Sequence, residues 1–169
     1  MKVSPILACD SARGSDAMLD SAIFAFLHHL AAFTMVAALA IEFVLIRGEL
    51  TLWSARRLQV ADIVYGASAT LLVIVGFLRV FYFEKGAEYY FASGTFIAKI
   101  SLFVIVAILS FPPTLEFLRW RKATASGNVP SVEPARLARL RRLIHIELAG
   151  ILLIILMAAL MARGIGSFN

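Results

Sequence analysis

Charge is what this sequence has least of. Only 16% of its 169 residues are Asp, Glu, Lys or Arg, against 61% hydrophobic, and the mean hydropathy is +0.87. A soluble globular domain carries about a quarter charged residues, so that class is excluded. A single cysteine, Cys9, excludes an intramolecular disulfide and any Cys-based zinc or iron–sulfur site within one chain. The Ile6-Leu7-Ala8-Cys9 run is similar to a lipoprotein cleavage box, but the apolar stretch before it is too short for a signal core. Strands, a P-loop, a glycine-rich dinucleotide fingerprint and a Ser-His-Asp arrangement are all missing, which removes most soluble-enzyme chemistry. A net charge of +5 would point to nucleic acid in a soluble protein. Here the charges fall in loops and read as topology, so no nucleic-acid partner is expected.

What is present is four long apolar stretches, at residues 21–46, 60–83, 95–118 and 143–161. Each has about 20 residues or more, enough to cross a roughly 30 Å hydrocarbon core as a helix. The expected fold is therefore all-α: an integral-membrane four-helix bundle over residues 18–164, with residues 1–17 as a loose extracytoplasmic tail. Met18, just before the first span, is a candidate initiator, a point that intact mass decides. Arg47, Arg56 and Arg57 surround the first loop; Arg119, Arg121, Lys122, Arg136, Arg139, Arg141 and Arg142 surround the third. The opposite side carries only Lys2, Arg13, Lys85 and Arg163. The positive-inside rule then puts both termini outside and the first and third loops in the cytoplasm. The expected location is a bacterial inner membrane. Lipid is the expected surrounding, and a homodimer or a membrane redox partner the expected company. Aromatics around residues 81–91 suit the water–lipid boundary. Pro112 and Pro113 should kink or break the third span, with Ser110 and Thr114 satisfying freed carbonyls.

Ionisable residues inside the spans are costly and need a reason. At 1.5 Å per residue, His28, Arg79 and Lys99 each lie about 9–11 Å outward of their helix centres. His28, Met35 and Glu42 repeat every seven residues, with Ala31, Ala32 and Ala38 between them. Asp62, Tyr65, Ala69, Gly76 and Arg79 share a face of the second helix. Small residues beside polar ones mark helix–helix contact in lipid, so these faces should turn inward. A neutral imidazole can ligate haem iron, and Arg with Lys can hold propionates. His28 is thus the candidate iron ligand, with Arg79, Lys99 and Tyr65 as cofactor-binding candidates. Another anionic ligand, or simple snorkelling of the two cations, fits the same residues. His29 points about 100° away from His28 and is set aside.

Glu42, Asp62, His145 and Glu147 form a second, inner polar layer, with Arg47 and Arg142 near its boundary. A salt-bridge lattice that fixes packing is the expected reading; a proton path or a divalent cation is the alternative. His28 and His145 lie nearly 20 Å apart in depth by the same rise, too far to share one haem.

The runs Phe26-Leu27-His28-His29-Leu30-Ala31-Ala32-Phe33, Asp62-Ile63-Val64-Tyr65-Gly66, Gly76-Phe77-Leu78-Arg79-Val80-Phe81-Tyr82 and Met161-Ala162-Arg163-Gly164, with Glu84-Lys85-Gly86, Lys99 and Leu118-Arg119-Trp120, resemble a family of small bacterial four-helix membrane proteins. That family is labelled only as a domain of unknown function. Leu27-His28 with Lys99 also distantly resembles HemJ-type protoporphyrinogen oxidases and the related CopD-like copper-resistance proteins. That second resemblance implies b-type haem and porphyrin oxidation. Three function classes therefore stand: a haem or porphyrin redox protein, a small transporter or proton-linked factor, and a non-enzymatic accessory subunit.

Overall fold

The computed structural model describes residues 5–83 and 93–165, with side chains at 18–82 and 93–165. Four helices carry the fold: α1 (Pro5–Arg47), α2 (Leu52–Leu78), α3 (Gly94–Ala125) and α4 (Pro134–Ala162). A π turn, Arg79–Phe83, extends α2. All four helices are long and apolar enough to cross a membrane. Apolar side chains are exposed on every helix, including Phe33, Val44, Ile63, Ile108, Phe111 and Leu152. A helix that is apolar all round belongs in lipid or in a core, and the outward faces here suit a bilayer.

Several ends differ from expectation. α1 begins at Pro5, so the segment expected as a loose tail is helical from there. α2 starts at Leu52, earlier than the apolar run, because Thr51 and Ser54 form a capping box. The Thr51 hydroxyl accepts from Ser54 N at 3.1 Å, and Ser54 Oγ accepts from Thr51 N at 2.8 Å. The basic lead before the fourth span is part of α4 itself, opened by Pro134 in its first turn. α3 ends on Gly127, whose φ of 77° lets its own and the next amide fold back onto Thr124 O and Ala123 O. Pro112 and Pro113 do not break α3, which runs through both. Ser110 Oγ donates to Ala107 O at 2.8 Å, whereas Thr114 serves a different acceptor, described below. The aromatics Phe81 and Tyr82 are exposed; those at 89–91 and Glu84-Lys85-Gly86 lie outside the described residues.

α1 packs on α2 and α3 on α4 most extensively, and α2–α3 and α1–α4 contacts close the ring. The core comprises Met35, Leu39, Ile46, Leu58, Tyr65, Phe117, Trp120, Ile144 and Ile151 with their neighbours. α3 and α4 approach closely at Gly150, where an added Cβ would lie 2.5 Å from Val106 Cγ2. Cations fasten the helix ends beside this core: Arg56 donates to Thr124 O at 2.8 Å and Arg141 to Ile46 O at 2.7 Å. Both carbonyls lie in the last turn of a helix, where acceptors fall outside the regular i→i+4 ladder.

Candidate functional site

Three helices each bury a carboxyl group in the core. Glu42 of α1, Asp62 of α2 and Glu147 of α4 are 2%, 7% and 1% exposed. The charges of all three act on one another. Tyr65, one turn along α2 from Asp62, is buried beside them and within the electrostatic reach of all three. α3 supplies Thr114, whose hydroxyl donates to Asp62 Oδ1 at 2.7 Å. The periodicity of α1 and α2 explains the burial: Ala31, Met35, Ala38 and Glu42 are all buried, as are Asp62 and Tyr65.

The expected salt-bridge lattice does not form. Among the described residues the ion pairs join Glu116 to Arg119 and Arg136, and none reaches Glu42, Asp62 or Glu147. Oε1 of Glu42 and Oε1 of Glu147 are buried without a hydrogen-bond partner. The arginines expected to neutralise them are occupied or turned outward. Arg47 lies over the Phe43 ring at 5.1 Å, Arg141 binds backbone carbonyls, and Arg142 is exposed. His145 also leaves the group. It sits two residues from Glu147, about 200° around the helix, and is exposed with its ring edge against Phe43 at 5.4 Å.

Sequence reasoning passed over Glu116. It is 7% exposed and accepts from Trp120 Nε1 at 3.2 Å, Arg119 at 3.2 Å and Arg136 at 3.3 Å. The signal was present in its spacing, with Arg119 and Trp120 three and four residues on, the positions that face each other on a helix. This is the ion-paired carboxylate of the core, tying α3 to the start of α4.

The outer layer does bring His28, Arg79 and Lys99 together. The charges of Arg79 and Lys99 act on His28 and on each other. Arg79 stands in the π turn, and Lys99 Nζ lies over the Phe96 ring at 5.2 Å. His29 is exposed and bonded to Ala25 O at 2.7 Å. Tyr65 belongs with the carboxyl groups, not with this set.

The His28 ring packs against α2, where a Cβ at Gly76 would lie 3.2 Å from Cε1 and 3.5 Å from Nδ1. The ring also bonds the Leu72 backbone, and Nδ1 is buried without a hydrogen-bond partner.

The sequence matches the family described as "Predicted membrane protein (DUF2214)" over residues 20–166. No curated protein and no solved structure gives a match. The chain belongs to that family of membrane proteins.

Proposed function

We propose that this multi-pass protein is a proton-linked membrane factor whose working group is the Glu42–Asp62–Glu147 cluster with Tyr65. One observation carries the reading: three carboxyl groups from three helices are buried in the same core, two of their oxygens have no hydrogen-bond partner, and among the described residues no cation pairs with them. Three negative charges in a site of low dielectric repel strongly, and an ionised carboxylate buried without a partner is among the costliest groups in a fold. Uptake of a proton removes that cost, and its release restores it, so the cluster exchanges charge instead of storing it. A metal ion is the weaker alternative. Among the described residues no group of three or more His, Cys, Asp or Glu is placed to hold one.

A purely architectural role fits poorly. Buried polar groups kept for helix pairing satisfy one another, as Glu116 does with its partners. Glu42 and Glu147 each leave an oxygen bare. Haem has no part in this proposal, which rests on the carboxyl groups alone. The proposed setting is a bacterial inner membrane, with the arginine-rich helix ends cytoplasmic and both termini outside; a C-terminal reporter fusion tests that orientation.

Proteoliposomes carrying an internal pH-sensitive dye test the function. The wild type should collapse an imposed pH gradient faster than protein-free vesicles, and Glu42→Gln and Glu147→Gln should each slow it at least about tenfold, the scale of losing a positioned proton-transfer group. Arg121→Gln, at an exposed position on α3, should leave it unchanged. Wild-type vesicles no leakier to protons than empty ones would overturn the reading.

A further inference from the structure

We propose that the cleft between the arginine-rich ends of α1 and α4 binds the phosphate headgroup of an anionic phospholipid from the surrounding bilayer. The cleft has a volume of about 340 Å³ and is lined by Phe43, Arg47, Arg141, Arg142, His145 and Ile146. Three guanidinium groups and an imidazole therefore converge on a concavity that no carboxylate lines. Topological cations need only reach water, and convergence on an apolar floor is a further property. Phe43 and Ile146 supply the cleft's apolar lining, with Ile146 45% exposed.

The cationic rim is also partly fixed in advance. Arg141 is held by Ile46 O at 2.7 Å and Gly48 O at 3.3 Å. Arg47 is stacked over Phe43, and the His145 ring leans on the same phenylalanine. Side chains ordered beforehand lose less freedom on binding. None of the four is consumed by an ion pair among the described residues. Arg47 is the last residue of α1, which sets the cleft at headgroup depth, where basic pockets between helices hold lipid phosphates. The larger groove between α1 and α2 suits a phosphate less well. Its lining carries two guanidinium groups, Arg56 and Arg57, and no imidazole.

Native mass spectrometry of the full chain in detergent tests this, with phosphatidylglycerol and phosphatidylcholine offered at equal concentration. The wild type should retain phosphatidylglycerol selectively. An Arg47→Gln/Arg142→Gln double variant should bind it about 25-fold more weakly, roughly fivefold per cation lost near an anionic surface, while Arg121→Gln binds as wild type does. Should the double variant fail to fold, Arg142→Gln alone alters an exposed side chain and should show the fivefold loss. Equal retention of both lipids, or undiminished binding by the variants, would overturn the proposal. Displacement of the lipid by equimolar inorganic phosphate would also overturn it, marking the cleft as a pocket for free anions.

Discussion

Toward the arginine-rich ends of the helices, Leu39, Ile46, Leu58, Phe117, Ile144 and Ile151 are sealed from the surroundings; toward the opposite ends, beyond Ala31, Val75 and Phe96, apolar side chains are half-buried or exposed. The polar groups divide the same way. The packed end encloses three carboxyl groups, whereas the open end holds His28, Arg79 and Lys99, all half-buried. Long cations at the edge of a membrane extend toward the boundary with little penalty, so a loose end accommodates them. Short carboxyl side chains near the core have no such escape. The tightest packing therefore coincides with the buried carboxyl groups, and the proposed proton-linked role rests on that coincidence.

The sharpest way to break the comparison is to remove one large ring at each end. Phe117 is 1% exposed and stands edge-on to Trp120 at 5.0 Å; Phe26 is 65% exposed. Phe117→Ala should cost about 2–4 kcal/mol, mostly as a cavity and lost contacts, since lipid is as apolar as the core. Phe26→Ala should stay within about 0.5 kcal/mol. Denaturant unfolding in mixed micelles measures both, and equal losses would erase the distinction between the ends.

Next in size is the unpaired carboxyl. If Glu147 is kept for function, Glu147→Gln should leave stability unchanged or raise it by about 1 kcal/mol, because removing a charge that lacks a partner relieves a penalty. Glu116→Gln is the contrast: it breaks a satisfied set with Arg119, Arg136 and Trp120 and should cost about 1–3 kcal/mol. The same unfolding assay separates them. A loss at Glu147 as large as at Glu116 would favour an architectural role for the cluster.

The inward face of α1 was legible because its seven-residue spacing of His28, Met35 and Glu42, with alanines between, admits one helical face. The four spans were legible from hydropathy. What the sequence concealed was partnership. Arg47 and Arg142 stand near Glu42 and Glu147 along the chain, yet their side chains turn to Phe43 and to the outer surface, a choice made by the rotation of α1 against α4. His145 shares the depth of Glu147 but not its angle around α4, so its ring meets Phe43 instead of the carboxyl groups. The prolines near Thr114 suggest freed carbonyls as its acceptors, but the neighbouring helix presents Asp62 at 2.7 Å, and an acceptor across the interface is visible only once the helices are packed. The close approach of His28 to Gly76 depends on helix separation, which no spacing reveals.

The smallest expected effect uses one substitution at both ends. Gly→Ala in a helix interior is worth about 1 kcal/mol in favour of the helix, so the sign of the result reports the space available. At Gly150 the new methyl would stand 2.5 Å from Val106 Cγ2, and a short branched side chain cannot swing aside without shifting its helix. Overpacking of this kind costs about 1–3 kcal/mol, enough to make Gly150→Ala net destabilising. At Gly76 the methyl would meet His28 Cε1 at 3.2 Å, and the imidazole stands in the loosely packed half, free to retreat by a few tenths of an ångström. Gly76→Ala should therefore be neutral or slightly stabilising. A visible spectrum of that variant and of the wild type, oxidised and then reduced with dithionite, adds a second readout at the same position. Both should be colourless after expression with ample haem. A Soret band in the wild type that weakens in Gly76→Ala would mean that His28 leaves α2 to hold iron, and the open end would then be the working one.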